Sequence, residues 1–129
     1  MLRCLLLLLL VSSCAWAQVT PCGPGLCFSG QFNDNALLQR APAAAVLYGS
    51  GATGAVQLTL AGTAGDGSAY NKTFTGAGAA DGTWRVQLDP MPTGGNLSAA
   101  LAVAGNASAI TTLYNLTFGD VWYCAGKDI

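Results

Sequence analysis

Apolar and polar residues alternate with a period of two through most of the chain. In 55–63, Val56, Leu58 and Leu60 fall on one side and Gln57 and Thr59 on the other. Trp84, Val86 and Leu88 alternate with Arg85 and Gln87, and Pro90 closes the run. Leu97, Ala99, Leu101 and Val103 repeat the pattern. Shorter candidate strands lie at 36–39, 44–49 and 70–75, and 109–126 is long enough for two strands broken near Gly119. Turn residues punctuate these runs at Gly49-Ser50-Gly51, Gly65-Asp66-Gly67, Asp81-Gly82, Gly94-Gly95 and Gly105-Asn106. Helix signals are nearly absent. The spacing predicts an all-β fold, a β-sandwich of immunoglobulin-like or jelly-roll-like type, with loops at 50–54 and 76–82. High Ala and Gly content is the competing signal, for a loosely ordered chain.

One stretch breaks the alternation. Val121-Trp122-Tyr123-Cys124-Ala125 is an almost continuous apolar run ending at Gly126. That is how a strand buried on both faces reads, as in a parallel sheet. The rest of the chain offers no second layer for it.

The N-terminus has a different logic. Arg3 precedes an apolar run from Leu5 to Val11, and Ala15-Trp16-Ala17 fits the small-residue cleavage pattern of a secretory signal. The run is too short to span a bilayer as a helix. The expected division is a signal peptide at 1–17, a β-sandwich at 18–117 and a separate terminal piece at 118–129. Two readings compete with a cleaved signal: an uncleaved anchor, and lipidation at Cys14 in a lipobox-like Val11-Ser12-Ser13-Cys14. Four N-x-[ST] sequons favour the secretory route, at Asn71, Asn96, Asn106 and Asn115. Asn115 is the weakest acceptor, because it falls in an expected strand. The expected location is extracellular or lysosomal, with no membrane attachment after cleavage.

Charge changes the picture mainly by exclusion. Removing 1–17 leaves Arg40, Lys72, Arg85 and Lys127 against six aspartates, with no basic surface for nucleic acid. There is no Glu and no His in the 129 residues. Imidazole is therefore missing both as a general base and as a metal ligand. Of the cysteines past the signal, Cys22 and Cys27 flank Gly-Pro-Gly-Leu, a turn that suits a local disulfide in an oxidising compartment. Cys124 is left over, and a buried inert thiol is the simpler reading. Three cysteines without His make a poor zinc site, so no metal and no cofactor is expected.

Other suggestive residues have plain explanations. Trp84 would suit a sugar-stacking platform, but its alternation with Val86 and Leu88 assigns it to the core. Tyr48, Tyr70 and Tyr114 would suit a groove, but no pattern groups them. Asp34 lies in an Asn-Asp-Asn turn where Asx hydrogen bonding accounts for it. Asp120 follows Gly119 at a strand junction, and Arg40 is placed to pair with one of these two carboxylates.

Three segments resemble the sialate O-acetylesterases, carbohydrate esterases with an SGNH-hydrolase domain. Phe32-Asn33-Asp34-Asn35-Ala36-Leu37-Leu38-Gln39-Arg40-Ala41-Pro42 is similar to the family's F-x-D-N-M-V-L-Q-R-x-P. The segment from Asp81-Gly82-Thr83-Trp84 to Gly94-Gly95 is similar to D-G-x-W-x-V-x-L-x-P-x-x-x-G-G. Phe118-Gly119-Asp120-Val121-Trp122-Tyr123-Cys124-Ala125-Gly126 is similar to F-G-D-V-W-x-C-S-G. The resemblance covers about 28–126 and implies the family's N-terminal β domain, followed by the first strand of an absent α/β SGNH domain. In the family the pattern continues with Gln-Ser-Asn-Met, whose Ser is the nucleophile, and a His base oriented by an Asp follows far downstream. This chain reads Lys127-Asp128-Ile129, so Asp128 stands at the Ser position.

That departure matters chemically. Acyl transfer needs an activated nucleophile, a base and oxyanion donors. The expectation is a chain with no catalytic residue of its own, cut at the nucleophile motif, with Gly119, Asp120, Trp122, Cys124 and Gly126 as motif remnants. The resemblance implies O-acetylated sialoglycans as substrates of full-length relatives. The alternative is a stand-alone secreted β-sandwich that binds carbohydrate or a protein partner.

Overall fold

The computed structural model describes residues 25–122 and 124. The expected signal peptide, Cys22, Gly126 and Asp128 lie outside the described residues. Eight strands form in chain order: β1 (Cys27–Phe28), β2 (Leu37–Gln39), β3 (Val46–Ser50), β4 (Val56–Thr63), β5 (Ala69–Gly78), β6 (Trp84–Gln87), β7 (Gly94–Val103) and β8 (Asn106–Gly119). No helix occurs among the described residues, so none is long and apolar enough to cross a membrane. The all-β expectation holds.

The strands join into one continuous sheet in the order β1-β3-β6-β5-β4-β7-β8-β2. Neighbours are antiparallel except β2 and β8, which run parallel with Leu37 opposite Thr117 and Gln39 opposite Gly119. The ten-residue β5 belongs to both halves: it pairs with β4 along Ala69–Gly76 and with β6 at Ala77 and Gly78. The sheet curls about this shared strand, so that both halves turn one face toward a common core.

The alternation in the sequence sets that face. Val56, Leu58 and Leu60 of β4 are fully buried, opposite Leu101 and Ala99 of β7. Leu47 of β3 and Val86 of β6 enter the same cluster from the other half, with Trp84, Leu116 and Phe118. Each such aliphatic side chain stabilises the fold by about 1.5–3 kcal/mol relative to exposure. Trp84 sits 2% exposed, and its Nε1–H is shared between the carbonyls of Cys27 at 3.1 Å and Ser50 at 3.2 Å. Phe28 meets the indole edge-on at 5.5 Å between centroids. This is the core role that the alternation assigns to Trp84. Gly49 makes the close approach feasible: a Cβ there would stand 1.9 Å from the Cys27 carbonyl oxygen.

Several boundaries differ from the sequence reading, Ser50 and Asn106 among them, read as turn residues but lying in β3 and β8. Residues 76–78, expected in a loop, complete β5 because Gly76 and Gly78 pair with Val56 and Trp84. The loop shrinks to a tight turn, in which Asp81 accepts from the Thr83 N–H and hydroxyl. Gly94 and Gly95, read as a turn, open β7 with φ of 95° and 91°. Beyond Gly119 no second strand follows in residues 120–122, and Val121 and Trp122 are 51% and 83% exposed. The apolar run read as a doubly buried strand lacks a covering layer at its described positions. Its other residues apart from Cys124 lie outside the described set. Both sheet edges are two or three residues long, which limits the open hydrogen-bonding rim.

Candidate functional site

The motif remnant lies where β8 leaves the sheet beside β2. The parallel pairing brings Arg40 beside Asp120. The Arg40 N–H donates to the Gly119 carbonyl at 3.0 Å, and its Nε donates to Asp120 Oδ1 at 2.8 Å. Nη2 adds a longer contact to Oδ2 at 3.5 Å, and Nη1 turns to the Ala41 carbonyl. The Val121 N–H donates to Gln39 Oε1 at 3.1 Å. Both ends of the ion pair are about half exposed, so it fixes the chain direction more than it adds stability. Arg40 therefore pairs with Asp120, one of the two carboxylates foreseen. Cys124 is a free, exposed thiol rather than the buried one expected. Among the described residues no group of three or more His, Cys, Asp or Glu side chains gathers to hold a metal.

Asp34 takes a different role from the local Asx turn read in the sequence. Its Oδ1 accepts the Tyr114 N–H at 2.8 Å, across 80 residues. Next to it the Asn35 N–H donates to the Tyr114 carbonyl, and Asn115 Nδ2 donates to Asn35 Oδ1. Asn35 and Asn115 both adopt left-handed backbone, with φ of 66° and 57°, which Asn tolerates better than most residues. Asn115 sits at a bulge: the β7–β8 register slips between Leu97↔Leu116 and Ala99↔Leu113. The extra residue re-aims its neighbours. Asp34 and Asn35 thus clamp the bulge in β8.

The three tyrosines stay apart, as the lack of grouping in sequence suggested. Tyr48 stacks edge-on against Phe32 at 5.0 Å and donates to Gln31. Tyr70 donates to Asp89, which also pairs with Lys72. Burial raises the Tyr70 pKa first, and the Asp89 charge adds to it. The Lys72 hydrogen bond holds the Asp89 carboxyl below its usual value. Tyr114 is 60% exposed on the outer face of the sheet. It lines a shallow groove of about 440 Å³ with Ala61, Thr63, Asn96, Ser98 and Asn115.

Sequence reasoning missed this groove. The alternation did place Asn96 and Ser98 outward between buried Leu97 and Ala99. The bulge that sets Tyr114 beside them has no sequence signature beyond an Asn in a strand. Of the four sequons, Asn71, Asn96 and Asn115 are exposed, and Asn106 opens β8. Cys27 is disulfide-bonded, and its expected partner Cys22 lies outside the described residues.

A curled all-β module with one core and an ion-paired strand exit is the class that this geometry defines. No family model matches the chain. Among curated proteins it is 35% identical to the sialate O-acetylesterase of Homo sapiens over 114 residues, 87% of this chain and 21% of that protein. The Pongo abelii protein of the same name is 34% identical over the same shares. The Mus musculus one is 34% identical over 107 residues, 81% of this chain and 19% of the relative. Over this stretch the chain is similar to the sialate O-acetylesterases, as a fragment of that family would be. It spans about a fifth of the length of these relatives.

Proposed function

We propose that this chain is the N-terminal β domain of a secretory-pathway protein of the sialate O-acetylesterase type, and that it does not itself hydrolyse esters. The observation that carries the reading is the asymmetric match: most of this chain aligns with only about a fifth of each relative. The two halves of the curled sheet share one core, which suits the β-sandwich role expected of that domain. The SGNH chemistry then belongs to the part of the relatives that this chain does not match, and O-acetylated sialoglycans are the substrates of the whole protein. Inactivity of this chain is supported by its lack of any His and by Asp128 at the nucleophile position. Signal-like residues 1–17 and the sequons at Asn71, Asn96, Asn106 and Asn115 support entry into the secretory pathway.

The direct test incubates the purified full chain with an O-acetylated sialic acid and follows acetate release. No release above buffer is expected. Release that disappears in Asp128→Ala would sink the proposal. Sequencing the transcript past codon 126 tests the domain reading separately. A continuation encoding G-Q-S-N and a later D-x-x-H is expected, and its absence in every frame would count against it.

A further inference from the structure

We propose that the outer groove between β4, β7 and β8 is the seat of the chain's own N-linked glycan, carried by Asn96, with the Tyr114 ring as the surface on which the innermost N-acetylglucosamine stacks. The inference rests on the secretory reading above and goes beyond it. It assigns one sequon among four and a partner surface for its sugar.

Four observations converge on it. First, Asn96 is exposed and lines the groove, and its sequon partner Ser98 lies two positions along the same face of β7. That spacing is about 7 Å, within reach of one pyranose ring. Second, Tyr114 lines the same groove and is 60% exposed. A half-exposed aromatic face with a polar tip suits the apolar face and hydroxyl rim of a sugar. Third, the remaining lining is small or uncharged: Ala61, Gly62, Thr63 and Ser98 leave room above the sheet. The outer positions of β4, paired as Thr59↔Ala100, Ala61↔Ser98 and Thr63↔Asn96, carry no charge at all. A neutral saccharide covers such a face without desolvating an ion.

Fourth, the other sequon in the groove is already committed. Asn115 donates its Nδ2, the atom a glycan would occupy, to Asn35 Oδ1. Its backbone is fixed at φ 57° in the bulge that Asp34 and Asn35 clamp. Asn71 lies opposite Ala61 on β5 and does not line the groove. A glycan there extends into solvent.

The experiment translates the full chain with microsomes. Protease protection reports entry, and mass spectrometry of tryptic and chymotryptic peptides reports occupancy at each Asn. A parallel chain with residues 1–17 replaced by a proven secretory leader guarantees entry. Failure of the native leader therefore counts against the secretory reading, while occupancy in the second chain still tests the groove. Occupancy is expected at Asn96. Trimming to a single N-acetylglucosamine with endoglycosidase H should leave Tm unchanged. Loss of the glycan in Asn96→Gln should lower Tm by roughly 3–8 °C, the scale of one aromatic stacking contact in a domain of this size. In Tyr114→Ala the glycosylated protein and its Asn96→Gln derivative should melt together, and Asn71→Gln should lose mass without losing Tm. An unmodified Asn96, modification of Asn115 in its place, or a Tm increment that survives Tyr114→Ala would each overturn the assignment.

Discussion

Trp84 and Trp122 occupy similar-looking stretches, Asp81-Gly82-Thr83-Trp84 and Gly119-Asp120-Val121-Trp122, yet they have opposite fates. The first is 2% exposed, anchored through Nε1–H to two carbonyls and braced by Phe28. The second is 83% exposed beyond the last strand. Local composition does not separate them. What differs is the partner layer: Trp84 alternates within a strand whose inner face meets β4 and β7 across one core, whereas Trp122 follows a strand exit with nothing placed over it in the described chain. An aromatic residue contributes stability only through what the fold sets against it.

The contrast is sharpest in substitution. Trp84→Ala should cost about 3–5 kcal/mol, enough to unfold a domain of this size in mild denaturant. Trp122→Ala should change stability by no more than about 0.5 kcal/mol. Urea denaturation followed by circular dichroism measures both. A cost above about 1 kcal/mol for Trp122→Ala would show that the ring is packed after all.

A smaller effect is expected at Gly49, the residue that lets β1 approach Trp84. Gly49→Ala pushes a methyl into the Cys27 carbonyl and the indole, at a cost of about 1–3 kcal/mol. Hydrogen exchange should localise the loosening to β1 and β3. The opposite end has its counterpart in Asp34. Asp34→Ala leaves the Tyr114 N–H without its acceptor, for a loss of about 1 kcal/mol and faster exchange at that amide. If the Tyr114 amide exchanges no faster, the clamp does not hold the bulge.

Acid should act on exposed carboxyls at the rim of the sheet rather than on either indole. Hydrogen bonds from Ser68, Thr83 and Lys72 hold the carboxyls of Asp66, Asp81 and Asp89 below their usual value. A carboxyl depressed in the folded state adds stability that is present above its unfolded pKa, about 3.9, and is lost as pH falls through the folded value. Stability should therefore be flat near neutrality and decline below about pH 4. Asp89→Asn should remove part of that decline. It should also remove the alkaline-side loss from Lys72, whose pKa the same pair raises and whose contribution fades as pH rises through that value. These groups are exposed, so the effect is small. An unchanged acid profile in Asp89→Asn would mean that the Lys72 pair is absent in solution.

The legible part of this fold was the part governed by period two. Leu58, Leu60, Val86, Leu88, Leu97 and Leu101 were assigned to the core from alternation, and each is buried. The pairing of Arg40 with one of two aspartates was also readable, though not which one. What escaped depends on register. A bulge shifts one strand by one residue, so neither the aim of Tyr114 nor the reach of Asp34 across 80 residues follows from local pattern. The extension of β5 through Gly76 and Gly78 escaped for a related reason: glycine-rich sequence reads as loop until a strand partner is known. The sandwich reading foresaw one shared core but not a single sheet curling about β5, since strand order leaves no trace in hydropathy.

The parallel pairing of β2 with β8 has a bearing on synthesis. β2 leaves the ribosome early, but its partner positions, Thr117 to Gly119, are made some 80 residues later. Most antiparallel ladders can close as their second strand emerges, whereas this one waits for nearly the whole described chain. Contacts of such long sequence separation are slow to form. Until then Leu37 and Leu38 lack the β8 strand that they pair with. That edge of the sheet is complete only once this pair has formed.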